Sequence, residues 1–566
     1  MDPTPIPKRF WWLKRLGILA AVLAVLIGGL RWYWGQLAQS RLDNALAKIR
    51  ARGEPTRLEQ LKQPGVPDKQ NAAHYLRQAL NHWPRVNGKL ITETDWWNKP
   101  DDPVVGAGKN AKHPDPIQDQ KAYLKRCEKS LKLLQKAENA PKTDWGVKLK
   151  GPGAYLNMKL NYLSKIQSLT RVLADMSKRA HKAGNDRLAV RAVQHQLSIA
   201  SRLYVQPITM IQHLVAISSR SLATDRIESL ISEIAIDGQA PKTARPAQLR
   251  RLIGELADVS KRRNEAARAM KGERVMVHDT AMGVIEGHVS PGRVFYGINT
   301  NGLPFWLVKL LAGPHLRMDA RLLLKGHTTA VLSAEKTGTM PEWRRFSRKH
   351  GPDISVLDKQ APLYPISRAA FPALDAAFET SFISQAEQQM AAVALAIRLY
   401  ETDHGRRSKS LSQLVPEYLD RVPGDPLASQ RRPIQYRPNG VKPFSDRQWS
   451  RHGNAAGTQP ARMNVPAVPL LYSVGKDNQD DGGKFVVDSH GNVEDKDALD
   501  RVFLLEPAPE APEPPKAFKG PPWRRQGGRR GPPATQSAPT QPATTRPAAE
   551  AEAGTQPATQ PAGDGP

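Results

Sequence analysis

Near the C-terminus the stretch DNQDDGGKFVVD, from Asp477 to Asp488, gathers acidic side chains around a pair of glycines. Asp477, Asp481 and Asp488 stand at positions 1, 5 and 12 of a twelve-residue loop with Gly482 at position 6, close to the spacing of an EF-hand calcium loop. Hard carboxylate oxygens on a flexible glycine turn suit calcium, which takes about six to eight oxygen ligands in loose geometry. Gln479 at position 3 and Asp488 in place of the usual bidentate glutamate are departures. Phe485 to Val487 reads as a strand, so no helix flanks the loop and a true EF-hand is disfavoured. Calcium is the expected cofactor, with Asp477, Asp480, Asp481 and Asp488 as candidate metal ligands. The competing reading is an acidic, solvated turn between two strands.

No other constellation in the chain carries a comparable chemical signal. The 14 histidines are scattered, and HExxH, GxSxG, P-loop and Rossmann patterns are lacking. Asp403 and His404 are neighbours at a predicted helix end, where adjacent side chains point apart, so His404 reads as structural or exposed. The single cysteine, Cys127, rules out an intramolecular disulfide framework and a cysteine metal cluster. The chain must therefore fold by burying a core, and it reads as non-enzymatic.

The acidic loop closes a longer pattern. AAVALAIRLYETDHG from Ala391 leads through LSQLVPEYLDRVPGDPL and PIQYRP to LLYSVGKDNQDDGG, ending at Gly483. This order resembles the periplasmic domain of the major, G-type pseudopilin of type II secretion. The matching residues are Tyr400, Asp403 and Gly405; Leu414, Val415, Tyr418, Leu419, Pro423, Asp425 and Pro426; Tyr436; and Ser473, Gly475, Asp477, Gly482 and Gly483. The resemblance implies a helix, here 384 to 402, packed on a small antiparallel sheet, with a calcium loop near Asp477. Arg406-Arg407-Ser408 stands where that family has an Arg-Tyr-Pro turn.

At the other end Lys8, Arg9, Lys14 and Arg15 precede an uncharged apolar run from Leu16 to Leu30, followed by Arg31 and the cluster Trp32, Tyr33, Trp34. Fifteen residues at about 1.5 Å each reach about 22 Å, short of a hydrocarbon core about 30 Å thick. Snorkelling basic residues and interfacial tryptophans make up the difference. A cleaved signal peptide has the same order of regions. Its best cleavage site, after Ala38-Gln39-Ser40, lies well past the run and beyond bulky aromatics, so an uncleaved anchor is expected. The basic residues before the span place the N-terminus in the cytoplasm and the bulk of the chain outside the inner membrane, in the periplasm.

Between these ends the apolar spacing is helical. Leu42, Leu46 and Ile49 continue the first helix until Gly53 and Pro55. Leu160, Leu163, Ile166, Leu169 and Leu173 form one helix ending at Gly184, and Asp186 caps the next, with Val190, Val193, Leu197 and Leu203. That pair resembles a single tetratricopeptide-type hairpin, without the roughly 34-residue recurrence of an array. A third helix begins at Pro207, a fourth holds Ile227 to Ile234, and a fifth covers 247 to 271. The short FWLVKLL run cannot span a bilayer and reads as core.

These signals predict a mainly α chain with a C-terminal α+β module: a basic cytoplasmic segment at 1–15, an anchor at 16–34, antiparallel helical hairpins at 35–380, the pseudopilin-like module at 381–505, and a tail at 506–566. Fifteen of the 48 prolines lie in that tail, with TQPATQPA repeats and few large apolar side chains, the composition of a disordered segment. A formal charge of +29 calls for anionic partners. The expected partners are the lipid bilayer, proteins of a secretion or pilus-like assembly, and anionic envelope polymers, with no specific nucleic acid; the basic KGPPWRRQGGRR cluster reads as a linker. An inner-membrane scaffold follows. The alternative is an exported enzyme acting on envelope polymers, with its site in region 272–315.

Overall fold

The computed structural model describes residues 11–85, 88, 90, 119–149, 151, 153–205, 208–290, 305–352, 364–429, 432–445, 463–487, 492–494 and 499–509. Among these the chain is mainly helical, with one long apolar helix at the N-terminus and a small antiparallel sheet. Asp488, the FWLVKLL side chains, residues 291–304 of the alternative enzyme region and the tail beyond 509 lie outside the described residues.

Helix α1 runs unbroken from Trp11 to Arg50. At about 1.5 Å per residue it is about 60 Å long, twice the thickness of a bilayer core. Its two halves live in different surroundings. Leu16, Ile18, Val25, Leu26 and Leu30 are exposed, whereas Ala38, Leu42, Leu46 and Ile49 are buried against the body of the protein. The helix stops where expected, with Gly53 in the left-handed region (φ 70°). Beyond it, buried Glu54 is held by the Arg274 guanidinium at 2.9 Å.

The body is built from α2 (Ala72–Asn81), α3 (Gln120–Asn139), α4 (Asn161–Lys182), α5 (Asp186–Ser201), α6 (Met210–Leu230), α7 (Pro246–Ala257), α8 (Val259–Glu286), α9 (Phe305–Lys336), α10 (Met340–His350) and α11 (Pro365–His404). The α4–α5 hairpin turns at Gly184 (φ 69°). Its cap is Asn185, whose side chain accepts from Leu188 N, and not Asp186. Asp186 is instead buried, accepting from Ala235 N and facing His181. The expected third helix is α6, capped by Thr209, whose hydroxyl accepts from Gln212 N; it also takes in the start of the expected fourth, Ile227 and Leu230, but ends there, short of Ile234, and Pro207 lies outside the described residues. The fifth is two, α7 and α8, broken at Asp258, which accepts from Lys261 N.

The helix expected over 384 to 402 extends from Pro365 to His404, so the division at 380/381 falls inside α11. Its N-terminal half, including Phe371, Leu374 and Phe378, joins the main helical core. The C-terminal half joins a second core with α5, α6 and α7 on one side and the sheet on the other. Enclosure from both sides explains why Met390 to Ile397 is apolar all round and buried throughout.

The sheet has the order β1-β3-β6, from Gln435–Val441, Val468–Ser473 and Arg501–Leu504, all antiparallel. A second, minor sheet joins β2 (Phe444–Ser445), β4 (Val486–Val487) and β5 (Val493–Glu494). Leu471 and Phe503 project onto α11, whereas Leu470 and Tyr472 point to a third cluster with Phe485 and Val487, as strand alternation requires.

Candidate functional site

Asp425 organises the region around the acidic loop. Its buried carboxylate accepts from Leu427 N (2.8 Å), Ser473 Oγ (2.7 Å) and Val474 N (3.0 Å), joining the Pro423–Pro426 stretch to the start of the loop. Burial pushes this carboxyl up, and the donors pull it partly back. Asn478, at φ 61°, accepts from Ser429 N through its side chain at 2.7 Å. Gly475 is required here: its φ is 70°, and a Cβ would come within 2.4 Å of Leu499 O.

The aspartates singled out from the sequence have separate partners. Asp477 accepts from Gln479 N at 3.0 Å. Asp480 accepts from Arg432 (2.7 Å), Tyr472 Oη (3.2 Å) and Gly482 N (3.0 Å). Burial would raise its carboxyl, but these donors hold it below the usual carboxylate range. Asp481 lies 3.5 Å from Lys484 Nζ. Among the described residues no group of three His, Cys, Asp or Glu side chains is placed to hold a metal ion. A cation bound by Asp480 would therefore have to displace or share the Arg432 pair. At the end of α11, Asp403 accepts from Tyr418 Oη at 2.8 Å and the His404 ring stacks on Tyr400, a packing arrangement.

Behind the loop lies a carboxylate cluster that sequence reasoning missed. Asp225 and Glu228 on α6, Glu387 on α11, and Asp500 and Arg501 at β6 line a small cavity of about 160 Å³. Glu387 accepts from Ser221 Oγ at 3.1 Å and pairs with Arg501. Glu228 accepts from Leu504 N at 2.6 Å, tying the sheet edge to the helical body. Asp500 accepts from Gly483 N at 2.7 Å. The partners are far apart in sequence, and the polar run QAEQQ directly before the apolar stretch Met390 to Ile397 is the one local sign of the site.

Burial and the neighbouring Asp225 and Glu387 push the Glu228 carboxyl up to about 8; burial and Glu387 push Asp225 up to about 6. An acid raised in the folded state contributes stability that is complete below its unfolded value, near 4.5, and is lost as pH rises through the folded value. Melting temperature is therefore expected to fall between pH 5 and pH 8. The cluster reaches the surface, so screening limits the change to on the order of 1–2 kcal/mol. Glu228→Gln keeps an acceptor for Leu504 N without a charge. Thermal melts followed by circular dichroism should show it raising stability at pH 8 and leaving it nearly unchanged at pH 5.

Comparison of the chain with protein-family models, with curated proteins and with solved structures returns no match. The class that the fold defines is a mainly helical protein with, among the described residues, one helix long and apolar enough to cross a membrane.

Proposed function

We propose that this chain is a membrane-anchored, non-enzymatic scaffold or interaction protein of the bacterial envelope, with a single span in the inner membrane and its bulk on the periplasmic side. The observation that carries this reading is the change of surroundings along α1. A single rigid helix presents an apolar, exposed half and then a buried half locked into the body. Exposing so many contiguous Leu, Ile and Val side chains to water is unfavourable, and a bilayer removes that cost. In this reading residues 381–505 form a module like the G-type pseudopilin, held against the helical body through α11, and its partners are proteins of a secretion or pilus-like assembly. Cell fractionation tests the anchor, and a reporter fused after Pro566 tests its direction: the reporter should be active as an exported protein, and cytoplasmic activity would reverse the topology.

Calcium is the cofactor this module would use, held by Asp477, Asp480, Asp481 and Asp488. Binding to the native state alone stabilises it by about 2.7 kcal/mol when free calcium is a hundredfold above the dissociation constant. Because α11 is enclosed by both the body and the sheet, the full chain in detergent is the material to melt. It should melt higher with calcium than with chelator, and Asp477→Ala or Asp481→Ala should abolish the difference. Identical wild-type melts in the two buffers would leave the loop as an acidic turn.

A further inference from the structure

The positive charge of the protein is not evenly spread. The cavity at the α6–β6 junction is lined by five carboxylates and one arginine, and the groove between α7, α11 and the Pro416–Pro426 loop by three arginines and four carboxylates. A third groove, of about 910 Å³, lies between α3, α5 and the segment leading into α7. There Lys121 and Lys125 on α3 face Arg187 and Arg191 on α5, and Lys242, Arg245 and Arg251 complete the wall. The only carboxylate lining it among the described residues is Glu128.

Part of this wall is already set in place. Buried Glu138 pairs with Arg191 at 2.6 Å and with His195 at 2.7 Å, and its carbonyl accepts from Arg202 at 2.8 Å. Arg187 donates to the Ala240 and Thr243 carbonyls, fixing the loop that forms the far side. Lys121, Lys125, Lys242, Arg245 and Arg251 are exposed, and among the described residues no carboxylate lies within salt-bridge distance of them. Like charges held this close repel, and a polyanion relieves the repulsion while releasing counterions.

We propose that this groove binds a linear polyanion without nucleobases, a flexible chain bearing phosphate or carboxylate groups, since among the described residues no aromatic side chain lines it on which bases could stack. The cations stand on both sides of an open groove, on α3 and on α5 with the segment leading into α7, an arrangement that a strand lying along the groove engages from two sides. Leu124, Leu131 and Leu188 give the groove an apolar floor for the uncharged parts of such a chain. The inference rests on the envelope reading above only for the source of the polymer. The groove chemistry is independent of the anchor, so failure of one leaves the other standing.

The test uses the purified full chain in neutral detergent, with labelled linear polyphosphate and labelled polygalacturonate as separate probes for the two anionic groups. Binding of at least one probe is expected, weakening steeply as salt rises. The variant Lys125→Glu, Lys242→Glu, Arg251→Glu should lose about tenfold or more in affinity. Lys129→Glu, Lys132→Glu, Lys136→Glu changes the net charge equally on exposed positions outside the groove, and should lose far less. Equal losses in the two variants would show attraction by net charge alone and overturn the proposal. So would tighter groove-dependent binding of a single-stranded oligonucleotide or of anionic vesicles than of either polymer. Unchanged melting curves of both variants separate lost binding from lost folding.

Discussion

Replacing Arg274 with methionine should destabilise the protein by about 3 kcal/mol, the lower end of the range for breaking a buried ion pair. The Arg274 side chain is 1 % exposed and bonds Glu54 at 2.9 Å, and Glu54 is itself 7 % exposed. Methionine fills much of the same volume but leaves the Glu54 carboxylate without its main partner. Arg52 at 3.2 Å and Lys271 at 3.6 Å stay close enough to soften the loss. The double variant Glu54→Gln, Arg274→Met should therefore be more stable than Arg274→Met alone, since an uncharged amide is cheaper to bury than an unpaired carboxylate. Chemical denaturation of the chain in detergent measures both. The location makes the loss consequential: this pair fastens the segment after α1 to α8, so weakening it loosens the long helix from the body.

A still more local change should have an effect of similar size. Gly272 lies where α8 crosses the start of α6, and a Cβ there would stand 2.0 Å from the Ile208 carbonyl oxygen and 3.1 Å from its carbon. These are backbone atoms, so one helix must move. The next residue, Glu273, is buried and accepts from Met210 N at 2.9 Å, capping α6 from outside, and that bond depends on the same close approach. Gly272→Ala is expected to cost about 3 kcal/mol or more through overpacking and a strained cap. Gly254→Ala in α7 is the matched control. Nothing lies within 4 Å of its would-be Cβ, and alanine there should stabilise by about 0.5–1 kcal/mol.

What could be read from the sequence was what local periodicity and capping control. The exit of α1 toward the body followed from Leu42, Leu46 and Ile49 at helical spacing, and the α4–α5 turn from Gly184, although its cap is Asn185 and not the expected Asp186. Boundaries drifted where a tertiary contact decides. Polar residues and Pro372 obscured the first turns of α11, yet packing of Phe371 and Phe378 against α9 and α10 carries the helix back to Pro365. Asp258 broke the expected 247 to 271 helix because its side chain caps α8, a choice that apolar spacing does not reveal.

The acidic loop was found by composition, but the partner of each aspartate was not. Arg432 reaches Asp480, and Asp425 reaches Ser473, across long stretches of chain. The carboxylate cluster was hidden for the same reason: Glu228 meets Leu504 N only once α6, α11 and β6 have come together. In the cationic groove the four-residue spacings of Lys121 with Lys125 and of Arg187 with Arg191 put each pair on one helical face. That the two faces look at one another is a property of the bundle.

The anchored body is tested most directly by alkaline carbonate extraction of membranes from cells making the full chain, in parallel with a chain that begins at Gln36. Carbonate strips proteins held by charge, which matters for a chain of +29, and leaves integral helices in the pellet. The account predicts the full chain in the pellet and the shortened chain in the supernatant, still folded by circular dichroism. Release of the full chain into the supernatant would contradict it.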